Sequence, residues 1–272
     1  MNAINSDVAV IKVKIRLKSG LKALSLHFLA SVAVVGCASV VVFFVWHPYP
    51  YWNLTGGAYL FFVLASVDVV CGPVLTGILY SPKKSKKKLV LDLSVVATIQ
   101  VAALCYGLYT VAQARPVVIV FEVDRLVAIA AADIDPSELS KAPPKFQRLS
   151  WTGPRLLGIR EPRDSNEMLR ALEASLKGVE PSSRPDWWRE LSPDRSELRS
   201  RMRSISLLLR ERPDGARKLL QEIADANQAS LKDLYFLPLT GKKSRDWIVV
   251  LNQRAEFLGF APIDGFLMVP KK

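Results

Sequence analysis

Three long apolar runs between residues 25 and 113 constrain the fold of this chain more than any other feature. They cover roughly residues 25–46, 59–80 and 89–113. A helix of about 22 residues at ~1.5 Å rise per residue is ~33 Å long, which is enough to cross a ~30 Å hydrocarbon core. The sequence therefore predicts a three-helix transmembrane bundle over residues 25–113.

The basic residues beside these runs predict an orientation. Residues 1–24 carry five basic residues against one acid, residues 47–57 carry none, and residues 81–88 carry five lysines. Loops rich in Lys and Arg stay on the cytoplasmic side of a membrane. We expect a multi-pass protein of the bacterial inner membrane with a cytoplasmic N-terminal segment over residues 1–24. Residues 114–272 are then periplasmic.

Charge and cysteine usage argue against several classes of site. The formal net charge is +12, but the densest basic blocks flank apolar runs, so membrane lipid is the expected partner and nucleic acid is not. Cys37, Cys71 and Cys105 fall one in each run, where packing is their expected role. The sequence has no zinc-ligand spacing and no nucleophile and base constellation, so we expect no metal, cofactor or catalytic residue.

Two segments flank the first run. Residues 1–24 alternate basic and apolar side chains, which suits either an amphipathic segment on anionic lipid or a short strand. The segment that follows the run predicts an aromatic belt at the membrane surface, formed by Trp46, Tyr49, Tyr51, Trp52 and Tyr59.

Residues 114–272 have the composition of a folded domain and predict a small α+β architecture. We expect a strand over 117–129, helices over 165–177, 192–212 and from Pro213 or Asp214 to Asn227, and strands over 234–239, 247–252 and 257–262. The first of these helices carries Met168, Leu169, Leu172 and Leu176 on one face.

Asp68 is the candidate functional residue with the clearest physical signal. It lies near the middle of the second run, where a charge costs about 2.5–3.5 kcal/mol on insertion scales. Gln100 lies at the same depth in the third run, about 16–18 Å from the lysine loop. We expect the two side chains to meet, with Thr98 or Ser39 nearby. Asp68 could fix helix packing, receive a polar group of a partner's transmembrane helix, or take part in proton transport.

Gly72 and Pro73 follow Asp68 by one helical turn. Proline inside a helix frees a carbonyl group and kinks the helix. The step is therefore either a structural kink or the wall of a lateral groove for a guest helix.

Five residues of the C-terminal region are further candidates. Alternation along a strand places Glu122 and Asp124 on one face and Arg125 on the other. Two carboxylates on one face are compatible with acid and base chemistry, but an ion pair or a solvated face is the simpler interpretation. Trp187 and Trp188 pack in the core by default, and either indole would be a partner anchor if it were exposed.

The segment from Pro48 to Arg125 resembles type IV pilin accessory proteins of the TfpX/TfpZ kind. The resemblance is carried by the elements YPY, LTGG, VDVVCGP, LDL, YGLYT, ARPV and FEVDR, and it weakens over the rest of the C-terminal region. It implies a bacterial inner-membrane protein that assists assembly or surface display of a type IV pilin without becoming part of the fibre.

We therefore expect a non-enzymatic accessory factor whose partners are the major pilin and the inner-membrane pilus assembly machinery. The candidate residues for partner contact or for pinning the bundle are Asp68, Gly72, Pro73, Gln100, Trp187 and Trp188. A membrane-anchored periplasmic enzyme and a signalling protein are the alternatives.

Overall fold

The structure is a computed structural model that describes residues 2–211 and 216–266, with side chains from residue 14 onward. These residues fall into two compact units. The helical unit comprises the residues up to Phe44 together with Ala58–Ala112. The sheet unit comprises Val45–Gly57 together with the residues from Gln113 onward.

The first part of the chain is helical. Its elements are α1 (Asn2–Val40), a π-helical turn (Val41–Trp46), α2 (Tyr51–Thr55), α3 (Gly57–Leu79) and α4 (Lys86–Gln113). Three helices are long and apolar enough to cross a membrane, and they lie where the apolar runs predict them. The backbone of residues 2–24 belongs to α1, so the alternative of a short strand there is wrong.

The sheet unit contains eight strands among the residues that the structure describes. They are β1 (Pro116–Glu122), β2 (Arg125–Ala130), β3 (Arg155–Ile159), β4 (Trp188–Arg189), β5 (Arg203–Ser204), β6 (Tyr235–Thr240), β7 (Trp247–Leu251) and β8 (Phe257–Ala261). The order is β4-β3-β1-β2-β6-β7-β8, with β5 paired to β6. The pairs β1–β3 and β2–β6 are parallel and the others are antiparallel, so the sheet is mixed.

Four α-helices accompany the sheet in the described part of the chain after β1. They are α5 (Ser165–Leu176), α6 (Ser196–Arg199), α7 (Ile205–Glu211) and α8 (Ala216–Ala226). Apolar side chains of α7 and α8 pack with β6 and β7 in one cluster. These helices therefore cover one side of that end of the sheet.

Both faces of the sheet are buried at its central strand β1. Ile119 and Phe121 join one cluster, while Val118 and Val120 join another. Because successive side chains on a strand point to opposite faces, a strand that is apolar throughout must be covered on both sides.

The segment Val45–Gly57, which we call the aromatic segment, is part of the sheet unit. Tyr51 and Leu54 are buried in the same cluster as Leu237, and the Tyr51 ring meets the Phe260 ring with centroids 5.6 Å apart. The prediction of an aromatic belt is therefore wrong for Tyr51. Its ring packs in the core of the sheet unit. The composition of a short loop does not indicate such a contact with distant residues.

Other predicted elements are also corrected. The single strand expected over 117–129 is a hairpin, because Val123 adopts a left-handed backbone (φ 58°) and the chain reverses there. The helix expected over 192–212 is interrupted, with β5 between α6 and α7. The expected helix starts at Pro213 or Asp214 lie outside the described residues. Strand β3 was missed, since it is short and follows a segment rich in turns.

Candidate functional site

Asp68 and Gln100 meet inside the helical unit. Gln100 Nε2 lies 3.3 Å from Asp68 Oδ1 and 3.2 Å from the Asp68 main-chain oxygen, and it donates to both. Asp68 is only 8% exposed. The contact predicted from matching depth is therefore present, and it links α3 to α4. Ser39 is engaged elsewhere, since its hydroxyl donates to the Gly36 carbonyl.

The Gln100 amide lies directly against Gly72. A Cβ atom at Gly72 would come within 1.8 Å of Gln100 Nε2, so a side chain at this position would have to displace the amide. Pro73 is buried beside it, inside α3. Gln100 Oε1 is buried and has no hydrogen-bond partner among the described residues. The site is therefore a small polar cluster in which one acceptor, Gln100 Oε1, is not used.

A second polar contact in the helical unit was missed by the sequence reasoning. His27 Nδ1 lies 2.6 Å from Thr76 Oγ1, which joins α1 to α3. Close to this pair, a Cβ atom at Gly20 would lie 2.8 Å from the Gly77 carbonyl oxygen. A histidine within an apolar run and small residues on two helices are the signals that could have indicated this contact.

Trp187 and Trp188 are each only 3% exposed. Arg160 and Arg184 lie over the Trp187 ring, with Cζ at 4.8 Å and 5.4 Å from its centroid. Trp188 Nε1 donates to the Ser182 carbonyl at 2.9 Å. Exposure was the condition for a role as partner anchor, and neither indole meets it. Both side chains belong to the core.

Glu122 and Arg125 face each other across the β1–β2 hairpin. Arg125 Nη2 lies 3.4 Å from Glu122 Oε2, so the ion-pair interpretation is confirmed and the opposite-face prediction is wrong. Burial raises the pKa of Glu122, and the Arg125 guanidinium opposes this rise. Asp124 pairs with a different arginine, since its Oδ2 lies 3.7 Å from Nη2 of Arg203.

Helix α5 presents its apolar face outward. The exposed fractions are 63% for Met168, 59% for Leu169, 59% for Leu172 and 83% for Leu176. The opposite side carries small residues, of which Ala171 is buried. Apolar helix faces ordinarily cover a core, and contiguous exposed apolar surface marks an interaction site. We call these four side chains the α5 stripe.

Among the described residues, no group of three or more His, Cys, Asp or Glu side chains could hold a metal ion. The polar cluster of the helical unit and the α5 stripe are the two features to which the proposed function below assigns a role.

Comparison with known proteins gives consistent matches. A family model described as "Fimbrial assembly protein FimB" matches residues 15–56. The fimbrial assembly protein of Dichelobacter nodosus serogroup I is 31% identical over 241 residues, covering 89% of this chain and 94% of that protein. The serogroup E1 protein is 32% identical over 245 residues, covering the same shares of the two chains, 89% and 94%.

A third relative from the same organism, the fimbrial assembly protein of serogroups C1 and C2, is 42% identical over 117 residues. This match covers 43% of the present chain and 89% of that protein. No solved structure gives a significant match.

Proposed function

This chain belongs to the fimbrial assembly protein family, and on that premise we propose that it is a non-enzymatic accessory factor of type IV pilus assembly. Helices α1, α3 and α4 hold it in the bacterial inner membrane. Its sheet unit contacts the type IV pilin. Through this contact the protein assists pilin stability, pilus assembly or surface display beside the inner-membrane assembly machinery.

The proposed topology rests on the distribution of basic residues. Five lysines lie between α3 and α4, and no Lys or Arg lies in residues 47–57. By the positive-inside rule, the lysine loop and the N-terminus are cytoplasmic and the sheet unit is periplasmic. A periplasmic sheet unit has access to the globular part of a pilin held in the same membrane.

The observation that carries the proposal is the α5 stripe. Four large apolar side chains on one helix, each at least 59% exposed, are costly to leave in water. Since the relatives bear names of fimbrial assembly proteins, a protein of the fimbria is the occupant that we assign to this surface. The contact would bury the stripe while the pilin is held for assembly.

The Asp68–Gln100 contact supports a pinning role in the helical unit. The hydrogen bond at 3.3 Å joins two helices at one depth. In this proposal the pair fixes the packing of α3 on α4. A role in which Asp68 instead receives a polar group of the pilin helix requires its charge, and this requirement separates the two roles.

The proposed function is tested by surface display of pilin in cells that produce Leu172→Ser in place of the wild-type protein. Leu207→Ser is the matched control, since Leu207 is an exposed leucine on α7 of the same unit. We expect Leu172→Ser to lower surface pilin severalfold at an unchanged level of the accessory protein, while Leu207→Ser leaves it unchanged. Equal display in both variants would contradict the role of the stripe.

A further inference from the structure

Three ends of the candidate membrane spans face the periplasm in the topology proposed above. Trp46 ends the first span, Gly57 begins the second and Gln113 ends the third. All three residues belong to the sheet unit. The chain of the sheet unit therefore meets the surface of the bilayer at these three points, and a loop that packs against such a point lies at the same surface.

The loop of residues 148–153 packs against two of these points. The Trp151 ring contacts the Trp46 ring, with centroids 6.0 Å apart. Arg115 follows the third span by two residues, which is at most ~7 Å of chain. Its guanidinium lies over the Trp151 ring, with Cζ 3.7 Å from the centroid, and its Nε donates to the Ser150 main-chain oxygen at 3.0 Å. These contacts hold the loop at the bilayer surface.

The loop of residues 241–246, between β6 and β7, packs against the remaining point. The main-chain amide of Lys243 donates to the Leu54 carbonyl at 3.0 Å. The Lys243 side chain runs past Gly56, where a Cβ atom would lie 3.0 Å from its Cγ. Gly56 directly precedes the second span. We call residues 148–153 and 241–246 the surface loops.

Strand directions place both surface loops at one end of the sheet. Strand β3 follows the first loop and runs parallel to β1, so both strands start at this end. Strand β6 is parallel to β2, which is antiparallel to β1, so β6 ends here and the second loop follows it. Strand β7 then runs to the opposite end, where the turn before β8 carries Arg254. That turn lies about one strand length, ~16 Å, from the second loop.

Trp151 has the chemistry of a lipid contact. Its side chain is 56% exposed in spite of its contacts with Trp46 and Arg115. Tryptophan is enriched at membrane interfaces because the indole combines an apolar body with a polar N–H group. A large exposed indole beside two span ends is therefore suited to the layer of lipid headgroups.

The surface loops are also basic. They carry one acid, Asp246, against four basic residues, Arg148, Lys242, Lys243 and Arg245. Lys242 pairs with Asp133 outside the loops, at 2.8 Å. The other three basic side chains are exposed, and none of them forms an ion pair with a carboxylate among the residues that the structure describes. Lysine and arginine bind phosphate oxygens through charge-assisted hydrogen bonds.

We propose that the surface loops lie in the phospholipid headgroup layer on the periplasmic face of the membrane. The Trp151 ring reaches the boundary between headgroups and acyl chains, and the three unpaired basic side chains of the loops bind lipid phosphate groups. This contact rests on the topology proposed above. It orients the sheet unit on the membrane and is separate from the α5 stripe, whose residues lie in neither loop.

The full-length protein in vesicles of phosphatidylethanolamine and phosphatidylglycerol tests the proposal. Its native cysteines are replaced by alanine, and a fluorescent label is attached after Thr152→Cys, Lys243→Cys or Arg254→Cys, so that Trp151 is retained. Lipids with a nitroxide on the headgroup quench a nearby label. We expect quenching at positions 152 and 243 to be severalfold stronger than at 254, since Arg254 is exposed at the opposite end of β7. Quenching at 152 or 243 that is no stronger than at 254 would overturn the proposal.

A label on the native Cys105 separates this contact from the membrane placement itself. Cys105 is exposed on α4, so lipids with a nitroxide on the acyl chain should quench its label in a variant with Cys37 and Cys71 replaced by alanine. Quenching at Cys105 with none at 152 and 243 would overturn the proposal and leave the membrane placement intact. No quenching at any of these positions would contradict both.

Native tryptophan fluorescence tests the role of Trp151. Lipids brominated near the headgroup end of the acyl chain quench indoles at the interface. We expect Trp151→Phe to lower the quenched fraction of the fluorescence, because it removes an indole from the interface. Trp187→Phe is the control and should raise that fraction, since Trp187 is buried in the sheet unit. An unchanged or raised fraction in Trp151→Phe would overturn the role of Trp151.

Discussion

Gln100 Nε2 donates to both Oδ1 and the main-chain oxygen of Asp68, and this one amide lies against the Cα of Gly72. Three residues from two helices thus occupy one small volume within the helical unit. The Gln100 amide can form these hydrogen bonds because Gly72 has no side chain in its place. This coupling makes the cluster testable by combined substitutions.

Gly72→Ala should displace the Gln100 amide and break its bonds to Asp68. The expected cost is about 1 kcal/mol, the usual net value of a lost hydrogen bond. Thermal unfolding in detergent measures it. Gly36→Ala is the control, since a Cβ atom at Gly36 meets nothing within 4 Å and alanine favours a helix.

The same substitution should cost much less in a Gln100→Ala background, because the amide is already absent. An equal cost of Gly72→Ala in both backgrounds would show that the glycine acts through some other contact.

Asp68→Asn should leave the bundle stable and surface pilin near the wild-type level. Asparagine keeps an oxygen that can accept from Gln100, so a pinning role survives the loss of charge. Measurements of melting temperature and of surface pilin check the two parts. A folded Asp68→Asn protein that displays no pilin would contradict pinning and indicate that a partner needs the carboxylate.

Leu54→Ala should destabilise the sheet unit by about 2–5 kcal/mol, the range for a buried leucine replaced by alanine. Leu54 is fully buried in the core that Tyr51 and Leu239 share. Chemical denaturation followed by tryptophan fluorescence measures the loss. Leu207→Ala, at a position that is 42% exposed, should change the stability little. Similar losses for both variants would refute the integration of the aromatic segment into the core.

Stability should fall in acid through Glu167. Its bonds with the Arg160 guanidinium and the Arg163 main-chain amide lower the pKa of this carboxyl to about 2 from its ordinary 4.5. The stabilisation is therefore complete above about pH 4.5 and is lost as the pH falls toward 2.

Glu167→Gln should accordingly be less stable than wild type at pH 7, and the difference should shrink at low pH. Unfolding curves at several pH values check this, with Glu173→Gln, an exposed carboxylate of the same helix, as the control. A difference that stays constant with pH would argue against the linkage.

Sequence patterns predicted what depends on local periodicity. The three apolar helices follow from run length, and the Asp68–Gln100 contact follows from depth, since antiparallel helices bring equal depths together. The apolar face of α5 was also visible in the spacing of Leu169, Leu172 and Leu176. Its outward orientation was not, because periodicity does not say which side of a helix the core occupies.

Tertiary context decided the rest. Tyr51 and Leu54 lie far from the sheet in sequence, so only the fold brings them into its core. The hairpin turn places Val123 in a left-handed backbone, which β-branched residues rarely adopt, and Asp124 is the single turn-type residue there. The burial of Trp187 could not be predicted from the arginines near it in sequence. In the structure, Arg160 and Arg184 lie over the ring and cover it.

Photo-crosslinking in living cells tests contact with pilin most directly. A photoreactive amino acid replaces Leu172 in the full-length protein, and an identical probe at Leu207 serves as the control. The account predicts a crosslinked product that contains the type IV pilin from position 172 and none from position 207. Absence of pilin from the products of position 172, in cells that assemble pili normally, would contradict it.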